Sequence, residues 1–282
     1  MVVASVPSAH VSEIDPSEDA RILGRLVELS AHARGAEELL QRLAASGRIR
    51  PVQPCGRSRT ALIGAGHALE SGDVLFGTAR DWPAALARGL SHEALLLQAY
   101  GKRAERTMPG AIFDRELGIW LSEASHAGHM AEAVGFGIAQ TLKGSQAIAL
   151  CCLGSASLML PEATAALVHA VERRARVVFL LRGPRGPLDR LVAVHRIVVP
   201  PDSAHRAYWA VAEARTARPG LPLLIDARWD RVTKPGVLTS PIIPEDALDA
   251  QARGLLSPEM ERALGSEVRD ALDKARSAAE SA

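Results

Sequence analysis

The stretch AIALCCLGSASLMLPEATAALVHAVERRARVVFLL, residues 147–181, decides the fold class. It begins with a short apolar run (147–153), passes through a turn of small residues into a helical stretch that opens at Pro161, and ends in a second apolar run (176–181). Two buried strands joined by a helix indicate parallel strands with a crossover connection. Another helical stretch leads to a third apolar run at 222–228. We therefore predict an α/β fold with a parallel sheet and helices on both faces.

Helical signals lie on either side of this predicted sheet. Asp15 is placed to cap a helix that ends near Ala45, and residues 91–101 carry the signals of another helix. Ser257 is placed to open an amphipathic helix that runs nearly to the end of the chain. The fold class we predict is therefore a parallel-sheet α/β domain with a helical C-terminal tail.

These signals suggest a division of the chain into three parts. We expect residues 1–14 to be a flexible N-terminus, residues 15–235 to form the α/β domain and residues 236–282 to form a C-terminal helical segment. The sequence RGPRGP, residues 182–187, is typical of a turn-rich linker inside the domain.

Composition excludes several classes of protein. The chain has 282 residues, 48% of them hydrophobic, and a formal net charge of +1, so nucleic acid and membrane surfaces are not expected partners. Its cysteines, Cys55, Cys151 and Cys152, form no disulfide framework and are expected to be small core residues in a reduced, cytoplasmic protein. We find no signal peptide and no apolar run of the roughly 18 residues that a membrane span needs.

Two motifs only partly match known functional patterns, one for dinucleotide binding and one for a catalytic serine. The segment LIGAGHAL (62–69) has two glycines of a dinucleotide-binding fingerprint, but Leu69 stands where the third belongs, and a packed helix is favoured. The segment GSAS (154–157) suggests a serine nucleophile, which requires small residues two positions before and after the serine. Leu153 and Met159 break that rule, so we predict no catalytic serine here.

His126 and His129 lie three residues apart on a predicted helix and could share a metal ion. The one carboxylate nearby on that helix is Glu132, and no further ligand pattern follows. We expect these histidines to be solvent-facing or capping residues, and we predict no metal ligand in the chain.

The same helix carries small residues at every fourth position: Ala127, Ala131, Gly135 and Ala139. Such a stripe lets another backbone approach closely. It is compatible with tight packing inside the domain and with a subunit interface.

Taken in order, several segments resemble the alpha subunit of the thiamine-diphosphate-dependent 2-oxo acid dehydrogenases. These are the stretch 46–101, the helix SHAGHMAEAVGFGIAQTLKG (125–144) and the C-terminal region 241–275. The resemblance covers most of residues 19–280 and lies in the order and spacing of the segments. It implies the thiamine-diphosphate-binding fold.

The resemblance also implies a cofactor site, and this chain departs from it. Family members bind Mg²⁺ and the cofactor diphosphate with a GDG or GEG turn and an NN pair about thirty residues later. These motifs fall on Gly154-Ser155-Ala156 and on Gly183-Pro184, so both metal-binding side chains are missing. Mg²⁺ requires oxygen ligands, which glycine does not supply from its side chain. The vestigial cofactor positions implied are Arg80, Gly154, Ser155, Ala156 and Gly183, with Arg80 in place of the arginine that contacts the phosphates.

Further family residues are absent. A Glu and an Asn farther along the helix fall on Ala165 and Val168, and an acidic motif falls on the basic Gly56-Arg57-Ser58. The active-site loop with its histidine is replaced by VTKPGVLTSP (232–241). We therefore expect neither thiamine diphosphate nor Mg²⁺ as cofactor, and no catalytic residues.

The leading hypothesis is a non-catalytic structural or regulatory subunit of an oligomeric complex. Alpha subunits of the family pair with beta subunits into heterotetramers, which favours an interface at the small-residue stripe. The expected partner is a beta-like subunit or a second copy of the chain, in a hetero- or homo-oligomer.

Two alternatives stay open. The chain could be an active thiamine-diphosphate-dependent dehydrogenase subunit in which Arg182 or Arg185 places a guanidinium where Mg²⁺ normally sits. It could also be a sensor of an anion or phosphometabolite that uses Ser155, Ser157 and the nearby arginines.

Overall fold

The computed structural model describes residues 15–102, 111–122, 127–185, 194–216, 221–230 and 245–282. The predicted flexible segment 1–14 and the predicted boundary near residue 235 lie outside these ranges.

Seven strands of the described residues form one sheet in the order β2-β3-β1-β4-β5-β7-β6. The strands are β1 (Val74–Thr78), β2 (Ile112–Asp114), β3 (Ile119–Ser122), β4 (Ala149–Gly154), β5 (Val177–Pro184), β6 (His195–Val198) and β7 (Leu223–Trp229). Only the β2–β3 pair is antiparallel. The predicted parallel-sheet α/β fold is confirmed, and the three apolar runs of the sequence are β4, β5 and β7.

Helices cover both faces of this sheet. They are α1 (Pro16–Ala45), α2 (Ser58–His67), α3 (Trp82–Ala87), α4 (His92–Ala99), α5 (Gly128–Lys143), α6 (Pro161–Glu172), α7 (Ala204–Thr216), α8 (Glu245–Ala252) and α9 (Pro258–Ser281), with 3₁₀ turns at Ala79–Asp81 and Ser155–Met159. The predicted N-caps hold, since the Asp15 carboxylate accepts from the Ser17 N–H at 2.9 Å and the Ser257 hydroxyl from the Met260 N–H at 3.2 Å.

The hydrophobic core lies in two layers, one on each side of the sheet. Strand residues alternate between them, so Cys151 packs in the layer under α5 and α6 while Cys152 packs in the larger layer under α1, α2 and α7. Both thiols are buried, and burial raises their pKa well above the ordinary value. The prediction that these cysteines are small core residues is confirmed.

The predicted linker at 182–187 is wrong in its first half. Strand β5 continues through Pro184, because Arg182, Gly183 and Pro184 pair with Ala227, Arg228 and Trp229 of β7. The glycine and proline indicated a turn from local propensity, but the neighbouring strand provides the pairing that keeps the backbone extended.

The glycines of LIGAGHAL lie inside α2 and serve helix packing. A Cβ on Gly64 would lie 1.9 Å from the carbonyl oxygen of Ala204 in α7, and one on Gly66 would lie 2.4 Å from that of Ala84 in α3. The prediction of a packed helix is confirmed.

Helix α9 lies against α1 and α4, with Val268 and Leu272 buried and Gly35 of α1 close to both side chains. The helices of the described ranges include none that is both long enough and apolar enough for a membrane span.

Candidate functional site

The candidate site lies at the carboxyl edge of the sheet, between β1 and β4. After β1 the chain turns into α3 on the larger core layer, and after β4 it turns into α6 on the opposite face. Ligands of open α/β sheets bind at such a switch point. The turn 154–156 lies here: Gly154 ends β4 and Ser155 begins a 3₁₀ turn.

A buried ion pair occupies this edge. Arg182 of β5 donates from Nε (2.7 Å) and approaches with Nη2 (2.6 Å) the Oδ1 atom of Asp81, which follows β1. Asp81 is fully buried and Arg182 is 5% exposed. Burial opposes the guanidinium charge, but the charge and hydrogen bond of Asp81, together with Cys152 and Cys55, hold the pKa of Arg182 above its ordinary value. The charge of each residue is thus neutralised by the other.

The second oxygen of Asp81 is also occupied. Its Oδ2 atom accepts hydrogen bonds from the Thr78 N–H (2.8 Å) and the Thr78 hydroxyl (2.9 Å). Gly77 makes this close turn possible, because a Cβ there would lie 2.8 Å from the same oxygen. Both oxygens of this carboxylate are therefore engaged within the protein.

Ser155 and Gly183 face each other across β4 and β5. Gly183 has a φ of +116°, and a Cβ on it would lie 2.8 Å from the Oγ atom of Ser155. The serine hydroxyl therefore takes the space that a side chain at position 183 would need. Ala156 follows in the turn and is exposed.

Arg80 is exposed, on the turn after β1. Its Nη2 donates to the Pro54 carbonyl at 3.3 Å, while its own carbonyl oxygen accepts from the Cys55 thiol at 3.1 Å. Arg57 lies two residues beyond Cys55, and its Nε is buried without a hydrogen-bond partner among the described residues. Two arginines thus flank this part of the edge.

Glu37 of α1 holds the segment before α2. Its carboxylate accepts from the Cys55 and Gly56 N–H groups and forms an ion pair with Arg59. The Glu37 carboxylate therefore fixes the backbone at the start of the basic Gly56-Arg57-Ser58 segment.

The arginine and aspartate at the end of β7 form a second network. Asp226 pairs with Arg228 (Oδ1 to Nε, 2.9 Å) and with Arg196 of β6. Burial alone would raise the pKa of Asp226, but its bonds to Arg228 and the charge of both arginines lower it overall. Arg185 lies outside this network: its N–H donates to the Trp229 carbonyl at 2.7 Å and its side chain is partly exposed.

His129 is buried, so the expectation that it faces solvent or caps a helix is wrong. Its Nε2 atom lies 2.8 Å from the carbonyl oxygen of Cys152. A histidine on the inner face of α5 contacts the sheet, which the spacing alone did not reveal. His126 lies outside the described residues.

The small-residue stripe is divided between the inside and the outside of the protein. Ala127 is buried at the start of α5, whereas Ala131 and Gly135 are exposed and Ala139 is half-buried. The close approach to the domain occurs instead at Gly137, where a Cβ would lie 3.0 Å from the Arg176 backbone. The stripe therefore does not serve packing within this chain at Ala131 or Gly135.

The described residues of this edge do not fit Mg²⁺. The turn provides one neutral hydroxyl, position 183 provides no side chain, and both oxygens of Asp81 are engaged. No group of three or more His, Cys, Asp or Glu within the described ranges is arranged to hold a metal ion. Mg²⁺ prefers near-octahedral oxygen coordination with carboxylate ligands, which this set does not supply.

Sequence reasoning missed Asp81, although a signal for it exists. Thr78 and Asp81 stand three apart directly after an apolar run, which is the spacing of a capping box. That Asp81 would meet Arg182, more than a hundred positions later, could not be inferred from this local pattern.

Many protein families share an α/β sheet of this kind, and sequence comparison identifies the family of this chain. The model of the dehydrogenase E1 component family matches residues 28–181, just over half of the chain. The chain belongs to the dehydrogenase E1 component family, and the predicted resemblance to 2-oxo acid dehydrogenases is confirmed. None of the curated proteins matches it significantly.

The fold is shared with a solved transketolase structure. The crystal structure of transketolase from Campylobacter jejuni superimposes with a TM-score of 0.57 at 15% identity, over 90% of this chain and 47% of that chain. A putative thiamin diphosphate-dependent enzyme from Mycobacterium smegmatis has a TM-score of 0.39 at 11% identity, over 62% and 32% of the respective chains. The chain thus spans about half the length of the transketolase that it matches.

Proposed function

We propose that this protein is a non-catalytic member of the dehydrogenase E1 component family that acts as a structural or regulatory subunit of an oligomeric complex. The observation that carries the proposal is the Asp81–Arg182 ion pair, which neutralises the carboxylate available at the carboxyl edge of the sheet. On this proposal the chain uses neither thiamine diphosphate nor Mg²⁺, and the positions Arg80, Gly154, Ser155, Ala156 and Gly183 are remnants of a cofactor site.

The Ser155–Gly183 contact supports the same conclusion. A side chain that could ligate a metal from position 183 would collide with the Ser155 hydroxyl. Restoring a ligand at position 183 therefore requires the Ser155 side chain to move.

The position of Arg182 argues against the active-enzyme alternative. A guanidinium that replaced Mg²⁺ would have to face the cofactor diphosphate, whereas Arg182 directs Nε and Nη2 to Asp81. Arg185 is partly exposed, with its Nε 3.7 Å from Asp230. Neither geometry favours a bound diphosphate.

The outer face of α5 supports a role in assembly. Ala131 and Gly135 are exposed, and Leu142, on the same side of the helix, is 84% exposed. Small residues beside an exposed leucine allow a second helix to approach closely. We propose that this face contacts a beta-like subunit or a second copy of the chain.

Calorimetric titration tests the cofactor part of the proposal. Thiamine diphosphate with Mg²⁺ is titrated into the purified chain, alone and with any subunit that co-purifies with it. We expect no heat of binding in either case. Binding that depends on Mg²⁺ would refute the non-catalytic assignment and favour the enzyme alternative.

The assembly part is tested by Gly135→Leu. A Cβ at Gly135 meets no atom within 4 Å, so the substitution leaves the fold of the chain intact. We expect weaker association by analytical ultracentrifugation or in co-purification. Gly24→Leu on α1 is the matched control, because that position is also open, and it should associate like the unaltered protein. Equal association of both variants and the unaltered protein would exclude this face as the interface.

A further inference from the structure

Two histidines that are distant in sequence meet where α1, α4 and α9 pack together. The ring centroids of His32 in α1 and His92 in α4 are 5.1 Å apart, with the ring planes inclined at 39°. His32 and His92 are both half-buried. They lie away from the carboxyl edge of the sheet and take no part in the site described there.

Each ring has one nitrogen without a partner. The Nδ1 atom of His32 and the Nε2 atom of His92 are buried and accept or donate no hydrogen bond among the described residues. Buried polar atoms are nearly always hydrogen-bonded, so an unpartnered nitrogen needs an explanation. Two unpartnered nitrogens in neighbouring rings point to a common cause.

We propose that His32 and His92 form a binding site for a borderline divalent cation of the Zn²⁺ class. Imidazole nitrogens bind such ions at about 2.0–2.1 Å in tetrahedral geometry, which places the centroids of two ligating rings about 5 Å apart. The observed separation of 5.1 Å agrees with that value. Imidazole ligands favour Zn²⁺, Cu²⁺ and Ni²⁺ over Mg²⁺ and Ca²⁺.

The charge state of the pair suits this role. Burial lowers the pKa of His92 to about 4, with a contribution from His32, and burial also lowers the pKa of His32. The rings are therefore neutral near pH 7, which is the form that ligates metals. The charged groups that act on His32 are Arg25 and Glu28 on its own helix and Glu267 on α9.

The site has two protein ligands, and water completes the coordination. No third His, Cys, Asp or Glu of the described chain completes a ligand set here. Glu267 provides a negative charge that favours a cation. The cysteines do not compete, because Cys55, Cys151 and Cys152 are buried with a raised pKa. A bound ion would link α1 to α4, and binding to the folded state would stabilise the fold.

Zinc titration of the full chain tests the proposal. ZnCl₂ is titrated by calorimetry into chelator-free protein, and thermal unfolding is followed with and without Zn²⁺. We expect one ion per chain and an upward shift of the unfolding temperature. His32→Gln and His92→Gln should each weaken the affinity at least tenfold, and the double variant should abolish the thermal shift. His169→Gln on α6, an exposed histidine, is the matched control and should bind like the unaltered protein.

A measurement on the unaltered protein keeps the test independent of the variants. Long-range ¹H–¹⁵N spectra of the histidine rings report which nitrogen binds zinc, and we expect Nδ1 of His32 and Nε2 of His92. The proposal is overturned if the protein binds no Zn²⁺, if other nitrogens shift instead, or if the double variant binds zinc as the unaltered protein does.

Discussion

Gly183 and Ser155 are fitted to each other: the glycine has a φ of +116°, and its missing Cβ would lie 2.8 Å from the serine hydroxyl oxygen. The two residues lie at the ends of β5 and β4, at the positions where the resemblance to the family predicts the metal-binding motifs. The close contact shows that the Ser155 hydroxyl occupies the space that a side chain at position 183 would need.

Gly183→Ala is expected to destabilise the protein by about 1–3 kcal/mol, because a side chain in the left-handed region is strained and would meet Ser155. Chemical denaturation measures the change. Gly154→Ala is the control, since Gly154 has an ordinary φ of −82° and open space around its Cα. It should change the free energy of unfolding by about 0.5 kcal/mol or less. Equal effects of the two substitutions would contradict the proposed fit.

Asp81→Asn is expected to cost about 3–5 kcal/mol, because it leaves the buried guanidinium of Arg182 without a counter-charge. Urea denaturation is the measurement. Glu259→Gln removes an exposed ion pair with Arg262 and should change stability by about 0.5 kcal/mol or less.

Combining Asp81→Asn with Arg182→Met should cost less than the sum of the single changes, because the second substitution removes the uncompensated charge. Strict additivity would show that the two residues do not act as a pair.

Gly64→Ala is expected to destabilise the protein by about 3 kcal/mol, since the new Cβ would overlap the Ala204 carbonyl and force α2 away from α7. Thermal unfolding of the variant shows the loss. Gly24→Ala on α1 meets no atom within 4 Å and should raise stability slightly, as alanine favours helix over glycine. If Gly64→Ala were as stable as the unaltered protein, the close helix contact would be wrong.

Stability is expected to fall as the pH drops from about 6.5 towards 4 in metal-free buffer. His92 has its pKa lowered from 6.5 to about 4 in the folded state, so the unfolded chain binds the proton first. The stabilisation is complete above pH 6.5, declines below it and is lost below pH 4. His92→Gln should flatten this part of the profile of unfolding free energy against pH. An unchanged slope would mean that His92 titrates normally.

Much of the fold follows from local sequence pattern. The apolar runs that became β4, β5 and β7 and the caps at Asp15 and Ser257 were predicted from spacing and propensity. Four short strands, β1, β2, β3 and β6, were not, because three to five residues carry too little periodicity to distinguish a strand from a loop. Strand β5 extends through Gly183 and Pro184, which propensity assigned to a turn, since pairing with β7 outweighs the local preference.

The sequence predicts where the candidate site lies but not which of its residues contact one another. The sequence located the turn 154–156 at a strand end. The resemblance to the family predicts that the metal ligands are absent there, which stays a prediction. The sequence did not reveal that Asp81 and Arg182 neutralise each other, nor that the small-residue stripe has Ala127 inside and Gly135 outside.

The sequence by itself determined the parallel α/β architecture and the capped starts of α1 and α9, because these depend on residues close together along the chain, and it determined the family through the order and spacing of its segments. Only the tertiary structure decided which charges and rings meet. Arg182 reaches Asp81 across the intervening strand, and His32 meets His92 where three helices converge. Such contacts depend on how separate elements pack in three dimensions, and no local pattern of residues encodes their partners.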